Sequence, residues 1–428
     1  MLKFLKGFFI LIVLYHIIVT VICYGVLGGQ YPELPSLIRD GLRIGFFILM
    51  FFVYRKDWKN YFNRRKYPWI AFIIMIIWGV IISLLAEKSI SDMLIGIKYG
   101  FFYIFIFLSS SFLGFVGKDT LNKIKNLSNI GYFLIGIVVL GFARQGAKLI
   151  WPDFFMQIGY GPLNDFFFGK NPPIYYLTGY EGTLRWQGLF SGPNNYGYFL
   201  VAFLPIIILL FKVQVKKLWE LLKLKNNLNL ICIIIWVLAI LFTLSRTAIL
   251  GGALVFLLLN IDRIRKNKIK TGIIILIGIV GIVALSILKG SSTLGHIYAK
   301  LSSINRVVQN PMGLGLGTAG PAIHHNGTIL PENYFIQVMI DIGTIGFILW
   351  ARIWYTIIMI EKKIKKSFIN EKEVSIYLVR RYLNIGWICL LVMGLFLHVF
   401  EDSMVNYLFF ISYGIITGYL TKKLSIKD

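Results

Sequence analysis

Apolar runs of about 20 residues recur along the whole of this 428-residue chain, and that feature leaves few folds open to it. Each run, coiled as a helix, spans the roughly 30 Å hydrocarbon core of a bilayer. No water reaches that core, so a crossing segment satisfies its backbone as a helix or within a closed barrel. Barrel strands alternate apolar and polar residues, and these runs do not. Only 15% of the residues are charged and 57% are hydrophobic, against about a quarter charged in soluble domains. The chain therefore reads as an all-α, polytopic integral membrane protein. Twelve spans are predicted, at about 5–26, 38–54, 68–86, 93–116, 127–143, 194–211, 228–244, 247–261, 271–288, 334–360, 382–400 and 403–420.

Lysine and arginine orient the bundle, because retained cytoplasmic loops are enriched in both. With both termini inside, the seven inner segments hold 31 of the 44 Lys and Arg residues; they are the two termini, 55–66, 117–126, 212–227, 262–270 and 361–381. The net charge of +25 is mostly this signal plus attraction to anionic membrane lipid. Scattered over seven segments, it offers no nucleic-acid face. The first run follows "MLKFLKGFF" and has no convincing cleavage site, so it reads as a retained span. Cys23, Cys232 and Cys389 fall inside spans, with neither metal spacing nor a disulfide framework. No internal repeat divides the chain, and 1–428 reads as one membrane domain. Its bias towards Ile, Lys, Asn and Phe points to a bacterial coding sequence, and hence to the cytoplasmic (inner) membrane.

Two outer loops are long, 144–193 and 289–333, and long loops in compact proteins tend to be functional. The first is aromatic and is expected to hold short helices. The second carries His296, His324 and His325 beside a glycine run, Gly313, Gly315, Gly317 and Gly320. Three arginines come from separate outer segments: Arg185 in "TLRWQGLFSGPNN", Arg246 in the tight turn "TLSRTA", and Arg306 before the glycine run. A charge near lipid is costly and usually faces a cavity or a partner. Together the three predict a shared anion site, because guanidinium offers a donor fork matched to phosphate oxygens. Backbone N–H groups of the glycine run are candidates to line it as a nest.

Absences narrow the chemistry. There is no HExxH, no CxxC, no Asp-x-Asp pair, and no Gly-Lys-Ser/Thr ending to the glycine run. Ser191 lies in Gly-x-x-Ser-Gly, which is not a nucleophile elbow. A metal-free and cofactor-free transferase acting on a preformed pyrophosphate leaving group fits.

Four stretches resemble the bacterial O-antigen polymerase and O-antigen ligase superfamily, membrane glycosyltransferases of the GT-C type. They are "RWQGLFSGPNNYGYFL", "TLSRTAILGG", "NRVVQNPMGLGLGTAG" and "ENYFIQVMIDIGTIGFI", in order over residues 180–350. The resemblance implies a metal-independent, inverting transfer from an undecaprenyl-pyrophosphate-linked glycan. Polymerases transfer to another lipid-linked repeat unit, and ligases to lipid A-core or another acceptor. Ligases carry His-Asn before the Gly-x-x-Gly helix; here Glu332-Asn333 stands in register with "GTIG", as is common in polymerases. His325-Asn326, seven residues earlier, leaves a second register open. The ten-residue separation of Arg306 and Gly317 also resembles a polymerase motif. A polymerase making O-antigen, capsule or exopolysaccharide is therefore favoured over a ligase. A polysaccharide chain-length regulator joins the expected partners, although no residue points to it.

Expected catalytic residues are Arg185, Arg246 and Arg306 as a pyrophosphate clamp, Glu332 as the base, and His325 as its alternative. Expected substrate-binding residues are Asn194, Asn195, Gly313, Gly315, Gly317, Asn333 and Asp341. No metal ligand is expected. A flippase of lipid-linked sugars is the rival from another class. It predicts ionisable residues along the midplane and two related halves, whereas the polar groups here concentrate in outer loops.

Overall fold

The computed structural model describes residues 33–117, 127–157, 160–161, 173–177, 182–190, 192–212, 227–261, 290–324, 327–368, 374–400 and 403–427. Two of the twelve expected spans, 5–26 and 271–288, lie outside them. The described chain is mostly helical. In order the helices are α1 (Glu33–Val53), α2 (Arg55–Leu85), α3 (Ile90–Gly100), α4 (Phe102–Val116), α5 (Leu127–Ile150) and α6 (Pro152–Gln157). After a two-residue strand pair, β1 (Tyr176–Leu177) and β2 (Leu184–Arg185), come α7 (Pro193–Lys212), α8 (Asn227–Phe242), α9 (Arg246–Leu259), α10 (Gly290–Gln309), α11 (Tyr334–Phe368), α12 (Val374–Gly394) and α13 (Ser403–Lys427).

The outer faces of these helices are apolar. On α2, Ile70, Ile73, Ile74, Ile77, Ile81 and Leu84 are exposed, while Ala71, Met75, Gly79 and Ile82 are buried. Spacing of three and four residues puts the exposed set on one stripe. A soluble surface does not carry such a stripe at this length, and a lipid-facing helix requires it. Among the described residues four helical stretches are long and apolar enough to cross a membrane: Arg55–Leu85, Gly131–Ile150, Pro193–Phe211 and Tyr334–Met359. The pair α3–α4, bent by 61°, makes a fifth, and shorter apolar helices cover Ile44–Val53, Asn229–Phe242 and Arg246–Leu259.

Three expected elements differ in detail. The span expected at 93–116 is broken at Phe101 into α3 and α4. The break frees the Gly100 carbonyl, and buried Tyr334 donates to it at 2.7 Å, so that carbonyl keeps a partner. Tyr334 in turn takes part in a chain with Tyr103 (2.9 Å), whose hydroxyl accepts from Trp350 Nε1 (2.7 Å). The outer segment 289–333 is not wholly loop, because its first part is helix α10. Residues 144–150, expected in the first outer loop, continue α5.

The bundle is held by close helix crossings. The α4–α13 crossing is the tightest: a Cβ on Gly418 would lie 1.7 Å from the Ser111 carbonyl oxygen. Backbones meet directly there, which is how helices gain packing energy in lipid. Helix α7 runs through the centre, against α9 and α12.

Candidate functional site

The segment containing Arg185 is clamped from both sides. Trp186 N donates to the Phe242 carbonyl at 2.9 Å, and its indole stacks on the Phe242 ring at 4.7 Å and meets Phe142 edge-on at 4.8 Å. Arg144, near the end of α5, donates to the Gly188 carbonyl at 2.8 Å. Between these fixtures Arg185 donates through Nε to the Thr243 carbonyl (3.0 Å) and through a terminal nitrogen to Asn194 Oδ1 (2.8 Å).

Those two acceptors sit at helix N-termini. Asn194 is in the first turn of α7, and Thr243 lies in the turn that opens α9. Ser245 caps α9 by accepting from Ala248 N at 3.4 Å, and Arg246 follows as its first residue. The two helix starts lie side by side, since a Cβ on Gly197 would fall 2.6 Å from the Ala248 methyl and 3.8 Å from Ser245 Cβ. Each N-terminus carries roughly half a positive charge. Burial pulls the Arg185 guanidinium below its ordinary range; Tyr198 and Tyr176 oppose that shift, and the nearby Arg246 charge adds to it. Among the described residues no carboxylate is named with the groups acting on it. Two cations and two helix N-termini thus meet at one place, an arrangement suited to an anion of more than one charge.

The turn that presents Arg246 is strained. Leu244 has φ 47, in the left-handed region that non-glycine residues rarely occupy. Glu332 shares this property at φ 48. Each such residue costs about 1–3 kcal/mol, and such strain gathers at functional sites.

Glu332 is half-buried and immediately precedes the cap of α11. Asn333 Oδ1 accepts from Phe335 N (2.9 Å) and Ile336 N (3.1 Å), while its Nδ2 donates to the Leu395 carbonyl (2.9 Å). Asn333, expected to bind substrate, is occupied as a helix cap that also fastens α11 to the end of α12. Met393, near that end, would meet a Cβ on Gly251 of α9, as would Val201 of α7. Glu332, Arg246 and Arg185 therefore belong to the same end of the bundle.

The glycine run has a different task from the expected anion nest. Helix α11 breaks its regular backbone at Gly343 (φ 69, ψ −175), and the run docks into that break. Leu314 N donates to the Ile340 carbonyl (2.7 Å), Gly315 N to the Asp341 carbonyl (3.1 Å), and Thr344 N to the Pro311 carbonyl (2.9 Å). Trp78 Nε1 takes the Ile342 carbonyl at 2.9 Å. Leu316 N donates to Ser83 Oγ (2.8 Å) and Ala319 N to Asp341 Oδ1 (2.9 Å). These N–H groups serve the chain itself. A broken transmembrane helix needs such partners, and positive φ at Gly313 (98), Gly315 (95) and Gly317 (79) lets the loop supply them. Asp341, expected to line the cavity, is buried as the receptor for this loop.

The remaining expected residues stand apart from this geometry. Arg306 is exposed in the last turn of α10, where a cation suits the helix C-terminus. Asn195 is half-buried at the start of α7. His325 lies outside the described residues. Two pairs escaped sequence reading. Arg144 and Lys148 sit one turn apart at the end of α5, with Lys148 Nζ donating to the Ile174 carbonyl (3.1 Å) and lying 4.3 Å from the Tyr160 ring centre. Their signal was the four-residue spacing in "ARQGAK". Gln337 and His398, 2.8 Å apart, lie below Asn333, and His398 gave no signal because it follows an apolar run.

One curated protein brings this geometry a relative. Over 337 residues the chain is 24% identical to a protein named O-antigen polymerase from Salmonella muenchen, covering 73% of this chain and 79% of that protein. The chain is similar to an O-antigen polymerase. The likeness to that polymerase extends well beyond residues 180–350 and bears out the resemblance carried by the four motifs. No family model matches the chain, and no solved structure matches it.

Proposed function

We propose that this protein is a membrane glycosyltransferase that polymerises undecaprenyl-diphosphate-linked repeat units into a surface polysaccharide. The observation that carries the reading is the meeting of Arg185 and Arg246 at the paired N-termini of α7 and α9, in a chain similar to an O-antigen polymerase. The positive-inside pattern supports placing this end of the bundle on the outer face of a bacterial inner membrane, with both chain termini cytoplasmic.

In the proposed reaction an acceptor sugar hydroxyl attacks the anomeric carbon of the donor glycan. The bond from that carbon to the diphosphate oxygen breaks, and its electron pair leaves with undecaprenyl diphosphate. The hydroxyl proton passes to the Glu332 carboxylate. Charge grows on the leaving diphosphate, so preplaced guanidiniums stabilise the transition state more than the ground state. Arg185 is held by the Thr243 carbonyl and Asn194 before substrate arrives, so little reorganisation is needed. Arg306 and Asn195, which stand apart from the Arg185–Arg246 pair, are assigned to contacts with the bound glycan rather than to the clamp. The glycine run and Asp341 act by shaping the wall. No metal or nucleotide takes part.

The test is incubation of purified protein with lipid-linked repeat units, without added metal or nucleotide. A ladder of lengthened glycans is expected. Single transfer to a non-repeat acceptor would make the protein a ligase, and unchanged chain lengths with altered sidedness would make it a flippase.

A further inference from the structure

Two arginines are buried at the end of the bundle away from Arg185. Arg65, in the first half of α2, is 2% exposed, and Arg380, early in α12, is fully covered. Both reach α13. Arg65 donates to Thr421 Oγ1, and Arg380 Nε donates to Thr417 Oγ1 at 3.1 Å. Thr417 and Thr421 are one turn apart, about 6 Å along the helix, and Thr421 Oγ1 donates to the Thr417 carbonyl at 2.8 Å. The guanidiniums thus line one face of α13 and repel each other. The Tyr413 ring centre lies 5.9 Å from Arg380 Cζ.

What surrounds this pair is incomplete. Arg65 Nε and both terminal nitrogens of Arg380 are buried with no hydrogen-bond partner among the described residues. The groups acting on the Arg65 charge are Tyr61, Arg380 and Tyr413, with no carboxylate among them. Two like charges withdrawn from water with no counter-charge among the described residues are very unfavourable. Phosphate answers both deficits, because it brings negative charge and several acceptor oxygens that match guanidinium forks.

The location fits such a ligand. Ser83, which receives the glycine run, lies about 27 Å along α2 from Arg65 at 1.5 Å per residue. That is close to the thickness of the hydrocarbon core, about 30 Å, so the pair stands at the opposite headgroup level. Arg64, Lys66 and Arg381 are exposed around it, a rim that attracts anionic lipid.

We propose that Arg65 and Arg380, between α2, α12 and α13, form a binding site for a phosphate-class anion, supplied by an anionic phospholipid headgroup or by free phosphate. The site is separate from the transfer site and ties three helices together at the other membrane face.

The experiment uses the full-length chain, purified in neutral detergent and stripped of lipid. Phosphatidylglycerol, inorganic phosphate and diacylglycerol, which lacks phosphate, are titrated separately while the unfolding temperature is read. Phosphatidylglycerol is expected to raise it; a matching rise with inorganic phosphate makes the free anion sufficient, and none makes the headgroup the ligand. Arg380→Met should weaken the apparent affinity about tenfold or more, and Arg380→Lys, which keeps charge but loses the fork, should weaken it too. Arg381→Gln, on the rim, should leave it within about twofold. If Arg380→Met does not fold, Thr417→Val with Thr421→Val tests the same pocket and should weaken binding. Equal shifts in wild type and pocket variants, or an equal response to diacylglycerol, would overturn the proposal.

Discussion

Arg185 donates to the Thr243 carbonyl at 3.0 Å across 58 residues of sequence. That bond joins the segment before α7 to the turn before α9 and holds one cation beside another. Like charges separate unless something holds them, and here the holding groups are neutral: a carbonyl and the Asn194 amide. The arrangement sets two guanidinium charges beside two helix N-termini.

Replacing Arg185 by lysine should nearly abolish polymerisation although the charge is kept. Lysine cannot bridge Thr243 and Asn194 while facing a diphosphate. Loss of one such donor typically costs about 10²–10³ in rate. The check is the initial rate of ladder formation by variant protein that elutes as wild type does in size exclusion. Asn194→Ala should lower the rate less, because it removes only a tether.

Arg246→Gln should uncouple stability from activity. A cation at the first position of a helix opposes the helix dipole, so its removal should stabilise α9 by about 0.3–1 kcal/mol. The transfer rate should fall by the same order as for Arg185. Thermal unfolding and the rate assay together test this, and a variant that loses both stability and activity would argue for a structural role.

Gly343→Ala should destabilise the fold by about 1–3 kcal/mol. The φ of 69 is poorly suited to alanine, and the new methyl would stand 2.3 Å from the Met312 carbonyl carbon. Gly136→Ala in α5 is the control; nothing lies within 4 Å of its added Cβ, and alanine favours a helix. Its unfolding temperature should hold or rise.

Glu332→Gly and Glu332→Gln separate strain from chemistry. Glycine accepts φ 48 readily, so Glu332→Gly should keep or raise the unfolding temperature. Both variants lose the proposed base and should be slowed by about 10²–10⁴. Full activity in Glu332→Gln would remove the carboxylate from the mechanism.

Much of the architecture was written in the apolar periodicity. The boundaries of α7, α8, α9 and the start of α11 fall within a residue or two of those predicted, because Pro193, Ser245 and Asn333 mark helix starts locally. The break at Phe101 was hidden, since the group that satisfies its freed carbonyl, Tyr334, lies more than two hundred residues away. The sequence grouped Arg185, Arg246 and Arg306 as costly charges at turns; the structure sets Arg185 close to Arg246, while Arg306 stands apart on α10. The role of the glycine run was not. Its N–H groups match carbonyls exposed by the kink at Gly343, and a sequence shows neither the kink nor which carbonyls it frees. Asp341 shows the same limit: a carboxylate in an apolar run signals importance, but only the fold reveals Ala319 as its partner.

The central claim, that Arg185 and Arg246 together hold the diphosphate, is tested most directly by binding of undecaprenyl diphosphate to the purified full-length chain. Wild-type protein should bind it, and Arg185→Gln and Arg246→Gln should each weaken binding about tenfold or more, with the double variant losing less than the product because the two act on one ligand. Undiminished binding in both single variants, with folding intact, would contradict the account.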